Sequence, residues 1–237
     1  MKSASSFVRR IRAELQSGGS PAYARSLQRF FKEPICAYGW RTTKLRKLAA
    51  SLRRGITAIG GDNLLFNVAK RLFRGPMLEE TSLGVMLLEG SVRKFGEAEF
   101  RRLERWLPRI HNWGACDALA CALMGRMIAA DARRLARVFR WAKSKNRWHR
   151  RMAAVSLVTA ARAGIYTEQT LRLAHRLLTD TDDMVQKGVG WLLKETSKRK
   201  PKQVVRYLMR VRRWAPRLTL RIACEKLPQR TRQRILK

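Results

Sequence analysis

Residues 111–125, HNWGACDALACALMG, form a helical pattern that includes one acid and one tryptophan. The alanine, leucine, cysteine and methionine residues recur at helical spacing, which predicts a helix with an apolar face. Trp113 and Asp117 lie four residues apart, so one helix turn brings the indole and the carboxylate to the same face. An acid in an apolar segment of a cationic chain has one of two roles. It forms a structural ion pair or helix cap, or it belongs to a functional site.

Helical patterns continue on both sides of this stretch, and no alternating run of β-branched residues indicates a strand. Helices of about 11–18 residues, in pairs that recur roughly every 35–45 residues, are typical of HEAT-like repeats. The sequence therefore predicts an all-α fold, a HEAT-like solenoid with a concave basic face, and a globular helical bundle is the alternative. Helix breaks are expected before Gly55, at Gly60 and Gly61, and at Gly75 and Pro76.

The 237 residues are interpreted as a single domain. Residues 1–19 are expected to form an N-terminal helical cap, because Phe7, Ile11 and Leu15 make the apolar stripe of an amphipathic helix. A helix that lies on a membrane surface is the alternative for this segment. Residues 227–237 are interpreted as a basic tail that is either disordered or an extension of a nucleic-acid contact.

The chain has 52 lysines and arginines against 17 acids, a formal net charge of +35. Such an excess indicates an anionic partner, either nucleic acid or a membrane. No apolar run approaches the roughly 20 residues of a membrane span, and no signal peptide is evident, so no membrane partner is expected. The four cysteines and three histidines show no metal-ligand spacing. No metal and no cofactor are therefore predicted, and the thiols are interpreted as reduced in an intracellular protein.

Three motifs follow one another along the chain: W-x-x-x-D from Trp113, WHRRMAA at residues 148–154, and Q-K-x-x-G-W-x-L-K-E at residues 186–195. An earlier segment, FFKEPICAYGW at residues 30–40, precedes them. In this order they resemble the AlkD-type DNA glycosylases, HEAT-like repeat proteins of DNA alkylation repair. The resemblance covers roughly residues 22–226.

The resemblance implies a role for each matching residue. Asp117 matches the essential aspartate of that family, and Trp113 and Trp191 match the two tryptophans that flank the lesion nucleotide. Arg151 matches the arginine beside the aspartate, which engages the DNA backbone. The other predicted DNA-binding residues are Lys187, Lys194, Arg41, Trp148 and Arg150.

Three positions depart from the family pattern. Lys194 stands where members often have arginine, Gly114 where some have a second acid, and Arg41 where a characterised member has an uncharged polar residue. Some of the matching residues have an ordinary structural role as an alternative to DNA binding. Trp148 is a candidate for helix packing, while Arg151 and Lys187 could belong to a solvated cationic face.

The resemblance implies a monomeric glycosylase that removes N3- or N7-alkylated purines from double-stranded DNA in the cytoplasm, near the nucleoid. Two other functions stay open: a non-catalytic binder of duplex or branched DNA on the same scaffold, and an RNA- or ribosome-associated repeat protein. Asp117 distinguishes the first function from the second, because a carboxylate that faces phosphates would weaken simple DNA binding.

Overall fold

The computed structural model describes residues 3–237, and these residues form helices, turns and one isolated bridge between Cys36 and Met77. The prediction of an all-α fold is confirmed. The α-helices of the described residues are, in chain order, α1 (Ala4–Ser17), α2 (Pro21–Leu27), α3 (Thr42–Phe73), α4 (Leu78–Glu89), α5 (Glu97–Glu104), α6 (Trp113–Leu119), α7 (Gly125–Ala130), α8 (Leu135–Trp141), α9 (Arg147–Ser156), α10 (Val158–Ala163), α11 (Thr167–Arg176), α12 (Asp183–Arg199), α13 (Pro201–Val211), α14 (Arg217–Ala223) and α15 (Gln229–Leu236).

The chain divides into two compact units, an N-terminal unit that ends at Leu123 and a C-terminal unit that begins at Met124. The helical pattern of the sequence runs through this boundary. The boundary falls inside a π-helical turn, Ala120–Met124, between α6 and α7. Spacing arguments assume 3.6 residues per turn, so they did not predict this wider turn.

In the N-terminal unit, α1 packs on α3, α3 on α4, and α4 on α6. The predicted apolar stripe of α1 is buried. The predicted break before Gly55 is wrong, because α3 runs through that glycine; an interior glycine weakens a helix by about 1 kcal/mol without ending it. The predicted break at Gly60 and Gly61 is found as a kink, where Gly61 has a φ of 63°.

In the C-terminal unit, α12 packs between α9 and α14, and these three helices form the first layer. The second layer consists of α8, α11 and α13, of which α8 packs on α9 and the other two on α12. The predicted helix over residues 147–163 is interrupted at Leu157, which separates α9 from α10. Most of the basic tail forms α15, and the Ile235 side chain of this helix is buried.

One segment, Trp113–Ala130, is apolar and long enough to cross a membrane by length and composition, with 18 residues and a mean hydropathy of 1.2. This corrects the expectation that no run approaches such a length. Half of the segment is buried inside the protein, and the core helix of a soluble protein passes the same criterion.

Candidate functional site

Helix α6 brings the predicted aspartate and tryptophan together. Asn112 caps its start, and the Asn112 side-chain oxygen accepts a hydrogen bond from the Ala115 amide at 2.9 Å. Trp113 is the first residue of α6, and Asp117 follows one turn later. Both side chains are partly exposed, whereas Ala115, Cys116 and Leu119 of the same helix are buried. The helix therefore presents the indole and the carboxylate at the surface of the N-terminal unit.

Two contacts with the segment after α2 fix the orientation of the Trp113 indole. The Phe31 ring stacks on it, with 4.8 Å between ring centroids and 13° between ring planes. The indole N–H donates a hydrogen bond to the Phe30 carbonyl oxygen at 3.0 Å. We call the stacked pair of Phe31 and Trp113 the aromatic platform. The rest of the Trp113 ring can present a π-face to a positively charged group.

Gly114, which stands where some relatives have a second acid, is closely surrounded. A Cβ atom at this position would lie 3.2 Å from the Asn112 side-chain oxygen, 3.3 Å from Leu78 and 3.5 Å from Phe31. These distances are at the tight end of van der Waals contact, so a larger side chain would require its neighbours to move. The close packing around Gly114 is thus consistent with a glycine, and not a second acid, at this position, so that Asp117 is the carboxylate of this helix.

Glu79, at the start of α4, holds the segment that carries Phe31. Glu79 is 3% exposed, and its carboxylate accepts hydrogen bonds from the backbone amides of Tyr38, Gly39 and Trp40, at 2.8–3.0 Å. Gly39 has a φ of 89°, and a Cβ atom there would lie 2.0 Å from the Ser20 carbonyl oxygen. Only glycine fits this turn.

Glu80, the next residue, is also buried and joins the same segment to α1. Its carboxylate accepts a hydrogen bond from the Tyr38 hydroxyl at 2.8 Å and forms an ion pair with Arg12 at 2.8 Å. Burial and this hydrogen bond raise the pKa of Tyr38 to about 12. The sequence did not predict the roles of these two acids. Their signal was the adjacency of two glutamates in a chain with few acids, three residues after the Gly75-Pro76 break.

Trp191, on α12 in the C-terminal unit, is partly exposed and lies beside a cluster of charges. The Arg162 guanidinium is 5.8 Å from the centre of the indole. Glu195, one turn after Trp191, forms ion pairs with Arg162 at 3.0 Å and Lys198 at 2.8 Å. Burial acts to raise the pKa of Glu195, but the hydrogen bonds from Lys198 and Arg162 outweigh it, so this pKa lies below its usual value.

The arginines of α9 are engaged within the protein. Arg150 forms two bonds to Asp180, at 2.6 and 3.1 Å, and also donates to the Ser144 and Lys145 carbonyl oxygens. The bonds to Asp180 raise the pKa of Arg150. Arg151 is 6% exposed and donates to the Met184 carbonyl oxygen. Arg150 therefore fastens α9 to the loop before α12, and Arg151 fastens it to the first turn of α12. The contact of Arg151 with a DNA phosphate stays a prediction.

The other predicted DNA-binding residues differ in their surroundings. Trp148 is buried, as expected of a packing residue. Lys187 pairs with Asp183 at 3.2 Å, one turn away on α12, and Lys194 pairs with Glu225 at 2.8 Å. Arg41 is exposed and its guanidinium lies 5.4 Å from the Tyr23 ring. Lys187 and Arg41 are therefore the cations of this set that remain most accessible to a phosphate.

The predicted site residues divide between the two units. Trp113, Asp117 and Arg41 belong to the N-terminal unit, and the remainder belong to the C-terminal unit. No cluster of three or more metal-ligating side chains occurs among residues 3–237. No disulfide links the cysteines among residues 3–237, and burial raises the pKa of Cys224 to about 11.

Comparison with known proteins bears on the role of this site. The sequence matches the family model of the DNA alkylation repair enzyme over residues 11–227. The fold is similar to that of a solved Enterococcus faecalis protein described as a predicted DNA alkylation repair enzyme, with 18% identity, a TM-score of 0.78, and coverage of 89% of this chain and 97% of that chain. No curated protein matches the sequence. Because the family match extends over most of its length, the chain belongs to the DNA alkylation repair enzyme family.

Proposed function

We propose that this protein is a DNA glycosylase that hydrolyses the N-glycosidic bond of N3- or N7-alkylated purines in double-stranded DNA. The observation that carries the proposal is the arrangement on α6, where Asp117 lies one turn from a tryptophan whose ring is fixed by Phe31 and the Phe30 carbonyl. A carboxylate and a π-face side by side suit a cationic group. Family membership supports this proposal, since such DNA lesions are what alkylation repair removes.

The chemistry requires little of the enzyme beyond electrostatics. An N3- or N7-alkylated purine carries a positive charge, so it departs as a neutral base when it takes the electron pair of the N-glycosidic bond. Positive charge then develops on the deoxyribose, and a water molecule adds at the anomeric carbon and loses a proton. In this mechanism the Asp117 carboxylate stabilises the sugar cation and orients the water. The Trp113 ring contributes through its quadrupole.

The partner in this proposal is duplex DNA bound by a monomer, and the accessible cations Lys187 and Arg41 contact its phosphates. Trp191 offers a second indole face, held by the Arg162–Glu195 pair. Arg150 and Arg151 act indirectly, because they fix the start of α12, which carries Lys187 and Trp191.

The test is release of 7-methylguanine or 3-methyladenine from methylated duplex DNA by the purified protein, measured by chromatography under single-turnover conditions. Time-dependent release of free base supports the glycosylase. Tight binding to the duplex without release would replace it with a non-catalytic DNA binder. A clear preference for RNA over duplex DNA in the same buffer would instead favour an RNA-associated protein.

A further inference from the structure

The second layer of the C-terminal unit contains an open groove of about 1140 Å³. Helices α8, α11 and α13 line it. This volume is at or above the range of roughly 300–1,000 Å³ found for small-molecule sites. None of the residues predicted to act on DNA lines the groove, so its role lies outside the proposed glycosylase site.

Four arginines line the groove against one acid, Glu168. They form two pairs at i,i+4 spacing, Arg172 and Arg176 on α11 and Arg206 and Arg210 on α13. Within the part of the chain that the structure describes, none of the four forms an ion pair with a carboxylate. Exposed guanidinium groups without carboxylate partners are ready to bind phosphate.

The groove also contains a polar group that the fold leaves unsatisfied. Tyr207 lines the groove and is 4% exposed, and its hydroxyl has no hydrogen-bond partner among residues 3–237. A buried hydroxyl usually has a partner, so an isolated one requires an explanation. Burial raises the pKa of Tyr207, and the neutral hydroxyl can therefore donate a hydrogen bond to a bound ligand.

Aromatic rings lie in the groove and beside it. Arg172 lies 5.8 Å from the Phe139 ring, and both side chains line the groove. His175, another lining residue, makes an edge contact with Trp214 at a centroid distance of 5.6 Å. Trp214 is 49% exposed, which is unusual for so large an apolar side chain. A cationic groove with accessible aromatic rings is the pattern of sites that bind unpaired nucleotides, whose bases stack on such rings.

We propose that this groove binds a single-stranded segment of nucleic acid. The arginines of α11 and α13 contact its phosphates, the Tyr207 hydroxyl donates to a phosphate or base oxygen, and a base stacks on the exposed face of Trp214. A duplex would offer phosphates to the arginines, but its paired and stacked bases could not reach Trp214. The site is separate from Asp117, so it does not depend on the glycosylase activity.

The test compares binding of the full-length protein to a fluorescent oligothymidylate and to a duplex at several salt concentrations. The double variant Arg206→Ala/Arg210→Ala should bind the single strand about tenfold more weakly at 0.15 M salt. Loss of two phosphate contacts should flatten the log–log salt dependence by about 1.4, at about 0.7 for each contact. Duplex affinity should fall clearly less than single-strand affinity, because the paired bases of a duplex cannot reach Trp214 and the duplex is not held in the groove.

The matched control is Lys70→Ala/Arg74→Ala at the end of α3, which removes the same charge at the same i,i+4 spacing from exposed residues outside the groove. It should leave single-strand binding within twofold. Equal losses for the two double variants, or an equal loss for single strand and duplex, would overturn the proposal, because the effect would then be general electrostatic attraction.

A second measurement uses Tyr207→Phe, which deletes only the hydroxyl. Since that hydroxyl has no partner, the variant should be at least as stable as the wild type and yet bind the oligothymidylate about threefold to tenfold more weakly. Addition of the oligonucleotide should also quench tryptophan fluorescence in the wild type but much less in Trp214→Phe. Unchanged affinity in Tyr207→Phe, with equal quenching in Trp214→Phe, would contradict the proposed site.

Discussion

The aromatic platform of the N-terminal unit and the arginines of α9 in the C-terminal unit both belong to predicted site motifs, yet the contacts of their side chains differ. The platform presents Trp113 beside Asp117 at the surface. Arg150 and Arg151 instead bind groups of their own unit. Net charge alone therefore does not identify a phosphate-binding surface. What matters is whether each cation already has a partner within the fold.

A change at the carboxylate beside the aromatic platform should affect the reaction most strongly. Asp117→Asn keeps the size of the side chain but removes its charge, so single-turnover base release should fall by about 10²–10⁴, the range for one positioned catalytic group. Thermal stability, measured on the same preparation, separates this catalytic loss from a structural role of the carboxylate, because a structural role would reduce activity only in proportion to the unfolded protein. A folded variant that releases 7-methylguanine at the wild-type rate would exclude Asp117 as the catalytic residue.

On the other side of the comparison, Arg151→Met should act on stability. It removes a buried donor and leaves the Met184 carbonyl without that hydrogen bond, so the free energy of unfolding should fall by about 2–3 kcal/mol. The salt dependence of duplex binding should be unchanged. A stable variant whose log–log salt slope flattens by about 0.9 would show instead that Arg151 contacts a phosphate.

Glu195→Gln tests the charge cluster beside Trp191 through its dependence on pH. The pKa of Glu195 is lowered in the folded protein, so its ionised form stabilises the protein above the ordinary carboxyl pKa of roughly 4.3. That stabilisation is lost as the pH falls through the folded-state pKa. The variant should therefore lose about 1.5 kcal/mol at neutral pH, and denaturant unfolding should show the difference shrinking at acid pH. If the difference in free energy of unfolding stayed constant with pH, the stabilising role of ionised Glu195 would be contradicted.

Phe31→Ala should have a smaller effect, on base release. Loss of the stacked ring removes about 1 kcal/mol of aromatic interaction with Trp113, which corresponds to roughly a fivefold slower release. Phe30→Ala is the matched control, because the Phe30 backbone carbonyl that binds Trp113 is retained. If both variants slow the reaction equally, the platform does not depend on the Phe31 stack.

The smallest effect is expected for Lys187→Ala. Its ion pair with Asp183 is partly exposed and one turn apart, so its loss should change the free energy of unfolding by less than about 0.5 kcal/mol. Duplex binding should nonetheless show a salt slope flatter by about 0.9. An unchanged slope would remove Lys187 from the DNA contact and deepen the contrast between the two regions.

Local spacing predicted the helical class, most helix positions and the Trp113–Asp117 pair, because all of these depend on residues within a turn or two. Sequence did not predict the π-helical turn after α6, the division into two units or the roles of Glu79 and Glu80. The bonds of Glu79 cross about 40 residues of chain, and Arg151 reaches a carbonyl 33 residues away. Such partners depend on tertiary packing, which periodicity does not contain.

The Glu79 anchor has a consequence for binding entropy. Three consecutive amides of the segment that carries Phe31 are tied to one buried carboxylate, and the Trp40 indole is tied to the Leu15 carbonyl at 2.8 Å. The platform is therefore ordered before any substrate arrives, and its conformational entropy is lost during folding rather than at the moment of binding. Association with a preorganised platform should thus proceed without a slow conformational step, so the observed binding rate should rise linearly with DNA concentration.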